Sequence, residues 1–440
     1  MAKLKLRYRL RRLRFILVRQ LIKTQFDDAT VKRNYRINIA DGAMFSFAMA
    51  LVSQQTVIPV FIKSVGGSSI AIGMIPVIWT IGFNFPQILI ANYASNQPYK
   101  KPLLLITGIF QRLFWLALAI ASFYLVDTIP VGFSVTIVFI LLALAAIGGG
   151  LNFPGWFDLI SKITPTNLRG RLFAWRVAIG ALLGFAGGYT VKYVLDKMFY
   201  PYNYSMLFII AFLVTMISYS LLFFIKEDTP NKPANKLGYK EYLKLIPVII
   251  KKNKNFRNFL IADVTMIVAF TSFAFFTVDA INKFSLPDSI AGEFTMIMMV
   301  SMVFGSLIFG HLADLHGHKN NLLYMSLFTL AACFTALIAV NVYFYYLVFV
   351  FAALATAMIQ VSRITLVAEM CNDEERAIYA AITNIVTVPF ILTGILAGWL
   401  AYHFEYNSVF IICIFISALA AYWYKYKVIE PRSIKVSPLL

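Results

Sequence analysis

The chain has 440 residues, of which 60% are hydrophobic, 16% aromatic and only 13% charged. Soluble chains carry about 25% charged and about 45–50% apolar residues, so this chain has too few charges to cover a water-facing surface of its size. The composition therefore excludes a soluble enzyme and predicts an all-α polytopic membrane protein. The net charge of +19 is also typical of nucleic-acid-binding proteins, so the positions of the basic residues decide its meaning.

Apolar stretches of about 20 residues, the length that a helix needs to cross roughly 30 Å of hydrocarbon, recur along nearly the whole chain. They predict twelve transmembrane helices, here called spans 1 to 12, at residues 37–62, 70–95, 102–126, 130–152, 172–195, 205–225, 258–281, 290–313, 320–340, 342–366, 377–402 and 406–425. The gap between spans 9 and 10, near Asn341, is short. An even number of spans places both termini on the same side of the membrane.

The basic residues alternate between the two sides of the predicted bundle. The segments before span 1, after each even span and at the C-terminus carry 33 of the 39 Lys and Arg residues, the opposite loops carry four, and Arg112 and Arg176 lie within spans. By the positive-inside rule both termini are expected to be cytoplasmic, in the plasma (inner) membrane. The net charge of +19 is then explained by topology and by anionic inner-leaflet lipids, and nucleic acid is not an expected partner.

The chain divides into two predicted bundles and three basic polar segments. Residues 1–36 mix basic and apolar side chains at near-helical spacing, which predicts an amphipathic cytoplasmic segment on the inner leaflet. Residues 226–257 form the longest hydrophilic interruption and predict a cytoplasmic linker. The six-helix bundles are expected at 37–225 and 258–425, and a cytoplasmic tail follows at 426–440.

Short matches at fixed offsets indicate that the second bundle repeats the first. The offset is 222 for Asp41 with Asp263 and for Asn92 with Asp314, and it is 210 for the glycine pair of span 5 with that of span 11. These glycines are Gly184, Gly188, Gly394 and Gly398. Glycines four residues apart let another helix approach closely, through either a moving interface or ordinary membrane packing.

Two loops resemble signatures of the major facilitator superfamily. Residues 310–319 read GHLADLHGHK, in which Gly310, Asp314, Gly317 and Lys319 match the signature loop, whereas Leu315 and His318 replace basic residues. The equivalent stretch of the first half, IANYASNQPYKK, keeps only Asn92 and its terminal lysines. The loop before span 5 has Arg169-Gly170 after Pro165, and Arg376 stands at the corresponding place before span 11.

The resemblance implies two pseudosymmetric bundles around a central cavity, alternating between inward-open and outward-open states. Asp314 is expected to accept hydrogen bonds at the N-terminus of span 5, near Gly170, and to pair with Arg169. These contacts would hold the cytoplasmic side shut in one state and break in the other. The alternative is a fixed surface salt bridge worth about 0–1 kcal/mol.

Ionisable residues inside the membrane are functional candidates because burying them is costly. Asp263 is the leading candidate for proton coupling, since no Lys or Arg neighbours it within its span. For its repeat partner Asp41, coupling and helix capping are both open. Arg112 is interpreted as structural bracing and Arg176 as a gate or interface residue, whereas Asp279 and Glu293 are expected to be solvated rim charges.

Polar residues within the spans are candidates for lining a substrate cavity, or for making ordinary interhelical hydrogen bonds. They are Gln54, Gln55, Asn84, Gln87, Asn152, Thr271, Gln360 and Asn384. Gly180 opens GALLGFAGG, which loosely resembles the helix-5 motif of drug/proton exchangers, although Phe185 stands where Pro is expected. The substrate class stays open.

The sequence thus predicts a secondary active transporter of a small organic solute, expected to be proton-coupled and monomeric. A drug/proton efflux antiporter, a lipid flippase on the same fold and a non-transporting receptor are the alternatives. An enzyme is not expected, and neither is a cofactor, because no phosphate-binding loop occurs. No metal site is expected either: the loop histidines His311, His316 and His318 are interpreted as solvated, and the three cysteines lack metal-ligand spacing.

Overall fold

The computed structural model describes residues 29–124, 128–227, 247–372 and 375–434, without the side chains at 88, 91, 92, 95 and 377. Most of the predicted amphipathic N-terminal segment, most of the linker and the end of the tail lie outside the described residues. Within the described ranges the chain is helical and contains no β-strand. The predicted all-α fold is confirmed.

Seven helices occur among the described residues of the first half. They are α1 (Ala29–Leu51), α2 (Val57–Ser64), α3 (Ser69–Asn96), α4 (Lys101–Tyr124), α5 (Val131–Ile163), α6 (Thr166–Lys197) and α7 (Tyr202–Leu222). The second half contains α8 (Lys254–Phe270), a 3-10 turn (Thr271–Ala274), α9 (Phe276–Phe284), α10 (Ile290–His316), α11 (His318–Ile338), α12 (Val342–Glu369), α13 (Arg376–Ile391), α14 (Thr393–Tyr426) and α15 (Pro431–Ile434).

Ten helical stretches among the described residues are long and apolar enough to cross a membrane. Predicted span 1 is not among them because residues 52–56 interrupt it, and spans 11 and 12 are counted together. Those two spans meet where α14 loses helical geometry, at Phe404 and at Glu405, whose φ is 62°. The arrangement therefore fits the predicted twelve spans. Spans 9 and 10 are separated at Asn341, which is the N-cap of α12. Its side chain accepts a hydrogen bond from the Phe344 amide (2.8 Å).

Spans 1 and 7 are each broken at a corresponding place, which the hydropathy pattern did not predict. Residues 52–56 separate α1 from α2, and the 3-10 turn Thr271–Ala274 separates α8 from α9. The breaks meet across the bundles, because the Thr277 hydroxyl donates to the backbone oxygen of Gln55 (2.8 Å). Broken helices leave backbone groups free at membrane depth, which is tolerated where the protein itself surrounds them.

The bundles pack against each other along two helix pairs. α6 crosses α10, and α3 crosses α14. Glycines permit the second crossing, since a Cβ on Gly394 would lie 2.6 Å from the carbonyl oxygen of Gly73 and a Cβ on Gly398 2.7 Å from the carbonyl oxygen of Ser69. At the first crossing, a Cβ on Gly188 would lie 2.9 Å from the Met296 nitrogen. The predicted glycines of spans 5 and 11 thus lie at the contact between bundles.

The same hydrogen-bonded clip closes each half at one end of the bundle. Asn34 of α1 exchanges two hydrogen bonds with the backbone of Lys226 (2.9 and 3.0 Å). Asn255 of α8 does the same with Ile429 (both 2.8 Å). We call the end that carries both clips the basic face, and the other end the opposite face.

A glutamate follows each clip and accepts hydrogen bonds at the start of a helix, α4 in the first half and α11 in the second. Glu227 accepts from the backbone amides of Lys100 and Lys101 (2.8–2.9 Å), whereas Glu430 accepts from that of Lys319 (2.9 Å). Gly317 is required beside Glu430, because its φ is 90° and a Cβ there would overlap the glutamate side chain. The repeat predicted from short offsets is therefore present in the hydrogen bonding of both halves.

Candidate functional site

Asp263 in α8 forms a two-pronged ion pair with Arg363 in α12. The guanidinium nitrogens Nε and Nη2 lie 2.8–3.0 Å from the carboxylate oxygens, and the Asp263 side chain is 1% exposed. Planar pairing of this kind is among the strongest charge-assisted contacts. No Lys or Arg neighbours Asp263 within its own span, but a basic partner that the sequence did not indicate comes from another helix.

Arg363 also reaches span 11. It donates to Oδ1 of Asn384 (3.2 Å) and to the hydroxyl of Thr387 (3.3 Å). The sequence count placed Arg363 with the loop after span 10, although α12 continues to Glu369 and buries it. Its position inside predicted span 10 was the available signal, so three arginines rather than two lie within the predicted spans.

Asp41 in α1 has an arginine partner of its own in the first half. Arg176 Nη1 lies 3.0 Å from the Asp41 carboxylate, and the Ser218 hydroxyl donates to that carboxylate at 2.6 Å. The same guanidinium lies 4.8 Å from the ring of Trp156. Because α1 begins at Ala29, Asp41 lies in mid-helix and is no helix cap. Arg176 joins α6 to α1 and α5.

Arg112 joins α4 to α7 inside the first bundle. It is 3% exposed and donates to the backbone oxygens of Thr215 (2.8 Å) and Gly108 (2.7 Å), and its guanidinium lies 5.0 Å from the ring of Tyr219. Every one of these contacts lies within one bundle. The guanidinium is thereby occupied by neighbouring helices of the first half.

The other polar candidates have different surroundings. Gln54 and Gln55 lie in the break of span 1, where the Gln55 side-chain oxygen is buried without a described partner. Asn84 bonds to its own helix and Asn152 packs against Gln111, so Asn152 faces α4 rather than a central cavity.

The remaining members of the set are dispersed. Thr271 donates to the Val268 backbone oxygen (2.7 Å), which is in its own helix. Gln87 is half-buried in α3, and Gln360 is exposed on α12. Among these candidates, Asn384 joins the Asp263 pair, and the breaks of spans 1 and 7 bring Gln55 close to Thr277.

The expectation of a solvated rim charge is wrong for Asp279, whereas the Glu293 side chain stays partly exposed, at 26%. Asp279 is 6% exposed and accepts a hydrogen bond from the Tyr345 hydroxyl (2.7 Å). Glu293 forms an ion pair with Lys192 of the other bundle (2.7 Å) and accepts from the Tyr346 hydroxyl. Both carboxylates lie in the part of the molecule where the two bundles touch.

Polar contacts between the bundles lie toward the opposite face. They join Thr56 to Thr295 (2.6 Å), Ser64 and Tyr204 to Asp288 (3.0 and 2.9 Å), Ser69 to Tyr406 (3.4 Å), Lys63 to Asn282, and Lys192 to Glu293 (2.7 Å). Together with the glycine crossings, they seal that end of the interface.

The signature loop at the basic face is not joined to span 5. The Asp314 carboxylate is exposed, and no ion pair to it occurs among the described side chains. Arg169 donates instead to backbone oxygens of its own loop, Thr164 (3.1 Å) and Ser161. A Cβ on Gly170 or Gly310 would meet nothing within 4 Å.

The other loop candidates are placed as follows. Asn92 lies near the end of α3, with a side chain outside the described part, and Arg376 begins α13. Lys319 donates to the Lys425 backbone oxygen (3.1 Å). Of the three loop histidines, His318 is 4% exposed and bonds to Ser362 (3.0 Å), so it is not solvated as expected. His311 and His316 are exposed.

These features define a polytopic membrane protein of two repeated bundles, closed against each other at one end and carrying buried acid–arginine pairs. The family model described as Major Facilitator Superfamily matches residues 41–286 and 264–438. The chain belongs to the major facilitator superfamily, and it is a membrane transporter rather than an enzyme.

A curated relative and solved structures agree with this family. The chain is 23% identical over 273 residues to an uncharacterized MFS-type transporter of Methanocaldococcus jannaschii, a match that covers 60% of this chain and 62% of the relative, less than two thirds of its length. A D-xylose-proton symporter superposes with a TM-score of 0.68 at 16% identity, covering 92% of this chain and 99% of that one.

Two further structures have the same fold. The nucleoside transporter NupG gives a TM-score of 0.67 at 13% identity, with 89% and 98% of the two chains covered. A POT family transporter in complex with a thioalcohol-conjugated peptide gives 0.70 at 10% identity, with 92% and 97% covered. Identities this low establish the common fold and leave the solute of this chain to experiment.

Proposed function

We propose that the protein moves a small organic solute across the plasma (inner) membrane by alternating access, coupled to protons, with its basic face in the cytoplasm. The observation that carries the proposal is the asymmetry of the bundle contacts. Hydrogen bonds, an ion pair and glycine crossings join the bundles toward the opposite face. At the basic face the signature loop stands apart from span 5. This arrangement suits an inward-open state.

Asp263 and Arg363 are the proposed coupling pair. Protonation of Asp263 cancels its charge and breaks the two-pronged contact of 2.8–3.0 Å. Arg363 then keeps Asn384 and Thr387 of span 11 as partners. Because span 11 also packs on α3 of the other bundle, movement of Arg363 would transmit the protonation state of α8 to the contact between bundles.

Gln55 is the proposed solute contact. Its side-chain oxygen is buried at the break of span 1 and has no described partner, and an unmet buried acceptor costs about 1–3 kcal/mol. A solute hydroxyl or N–H group satisfies such an oxygen. Sugars, nucleosides and peptides, the solutes named for structures of this fold, all carry such donors.

Transport assays in proteoliposomes test the proposal. A panel of labelled pentoses, nucleosides and short peptides is first screened for thermal stabilisation of the purified protein, and stabilising solutes are then assayed for uptake. Accumulation should require an imposed proton gradient and should stop when a protonophore collapses it. D263N should abolish accumulation while leaving counterflow exchange measurable, because exchange needs no net proton movement.

K251Q is the matched control, since Lys251 is exposed at the basic face and is expected to contribute nothing to coupling. Uptake that is unchanged after the gradient is collapsed would contradict proton coupling. Failure of the whole panel would contradict a solute of these classes.

Asp314 supplies a separate test of alternating access. In the outward-open state its carboxylate is proposed to bind the N-terminus of α6, near Gly170. D314N weakens that contact, so the inward-open state should be favoured and the uptake rate should fall about fivefold or more, a coupling of roughly 1 kcal/mol. Cysteine accessibility at the opposite face should fall in parallel, and a variant with wild-type uptake and accessibility would contradict the proposed contact.

A further inference from the structure

A cleft of about 510 Å³ lies between α8, α13 and the second part of α14. Nine of its eleven lining side chains are apolar, and the other two are Thr265 and Arg257. The hydroxyl of Thr265 is already bonded to the backbone oxygen of Ile261. The cleft is therefore large enough for a ligand. Its lining is apolar except for a single charged side chain at one end.

The repeat explains why the cleft occurs in the second half. With the offsets of 222 and 210, Val264 corresponds to Gly42 and Val386 corresponds to Arg176. In the first half the long side chain of Arg176 lies over Gly42 and fills the groove between α1 and α6. In the second half Val386 is too short to fill the corresponding groove. The arginine that pairs with the acid of this half comes from α12 instead.

The cleft opens toward the surrounding membrane. Leu260, Ile261, Val264 and Val268 form a stripe along α8 at helical spacing, and Asp263 is not part of the lining. At the mouth, Ile261 and Phe390 are 42% exposed and Leu419 is 50% exposed. These side chains belong to membrane-spanning helices, so hydrocarbon chains of the bilayer lie beside the opening.

The charge lies where a phospholipid headgroup would be. Arg257 is exposed, three residues after α8 begins, and forms no ion pair with a described residue. From Arg257 to Val268 the helix rises about 16 Å, close to half of the roughly 30 Å hydrocarbon thickness. The lining thus matches the depth of one leaflet.

We propose that the cleft binds one anionic phospholipid from the leaflet at the basic face, with an acyl chain along α8 and the phosphate on Arg257. Basic side chains near the membrane surface gain about 1 kcal/mol each from anionic lipids, and the apolar lining supplies the rest. The site lies outside the path between the bundles, so the lipid is a bound partner of this chain and not its solute.

Native mass spectrometry of the purified full-length chain tests the site, with phosphatidylglycerol and phosphatidylcholine of identical acyl chains as probes. Wild-type protein should bind the first phosphatidylglycerol about fivefold more tightly than phosphatidylcholine. R257Q should reduce phosphatidylglycerol binding to the phosphatidylcholine level. K251Q removes an equal charge outside the cleft and should leave the first binding step within twofold of wild type.

A second pair of variants tests the acyl-chain position. L419W places a bulky ring at the mouth and should reduce binding of both lipids about tenfold, whereas L396W, at another exposed position of α14, should not. Thermal unfolding in lipid-free detergent verifies that all four variants fold. Equal affinity of the wild type for the two lipids, an equal effect of R257Q and K251Q, or unaltered binding by L419W would each overturn the proposal.

Discussion

The two bundles retain the same acid and neutralise it with arginines from different helices. Asp41 of α1 pairs with Arg176 of α6, whereas Asp263 of α8 pairs with Arg363 of α12. In the first half the arginine also fills the seam between the two helices that it joins. In the second half the seam between α8 and α13 is left with an apolar cleft.

Corresponding positions of the two halves thus keep the pairing of an acid with an arginine, while the helices that this pairing connects differ. The first pair joins the opening helix of its bundle to α6, which crosses the other bundle. The second pair reaches the crossing helix only indirectly, because Arg363 contacts span 11 through Asn384 and Thr387. The acid of the second half is therefore connected to the contact between bundles only through its arginine.

Removing Arg363 should have the largest effect. R363Q leaves the Asp263 carboxylate buried without a cation, which should lower the free energy of unfolding by about 3–5 kcal/mol. R176Q should cost less, since the Ser218 hydroxyl still donates to Asp41. Chemical unfolding in mixed micelles measures both. The double variant D263N/R363Q removes both charges and should recover most of the loss, whereas a double variant as unstable as R363Q would contradict an electrostatic origin.

The glycine crossing between the bundles should show the next largest effect. G394A places a Cβ 2.6 Å from the carbonyl oxygen of Gly73, so it should destabilise the sealed opposite face by roughly 1–3 kcal/mol. G170A is the matched control at the basic face, where a Cβ meets nothing. Accessibility of cysteines introduced at the opposite face should rise only for G394A. Equal behaviour of the two variants would show that the crossing does not hold the seal.

The ion pair between Lys192 and Glu293 should contribute least. Its side chains are 45% and 26% exposed, and exposed pairs are worth about 0–1 kcal/mol. K192Q should therefore change unfolding by less than about 1 kcal/mol, and the difference from wild type should shrink as salt is raised. A larger effect that is insensitive to salt would place this pair among the buried ones.

The membrane helices were largely predictable from the sequence, because the length of an apolar stretch is visible in consecutive residues. Predicted span 2 at 70–95 is observed as Ser69–Asn96, and span 8 at 290–313 as Ile290–His316. The breaks of spans 1 and 7 were not predicted, because the polar residues at 53–56 and 271–272 are too few to interrupt an apolar stretch of about 20 residues. Their geometry is set by contacts with the other bundle.

The candidate site was predictable only in part. The cost of burying a charge in the membrane drew attention to Asp263. Its partner Arg363 lies 100 residues further along the chain and was assigned to a loop. Asp279 was likewise placed at a solvated rim, because nothing local to it indicates the Tyr345 hydroxyl. A single sequence shows which charged residues are costly to bury in the membrane, but it does not show which helices contact one another.

The clips at the basic face bear on how the protein is made. Everything that the first clip requires, from Asn34 to Glu227, lies in the first half of the chain. The first bundle can therefore close its ring of helices while the ribosome is still synthesising span 7. The second clip needs Ile429 and Glu430, so the second bundle stays unclosed until the residues that follow span 12 have been synthesised.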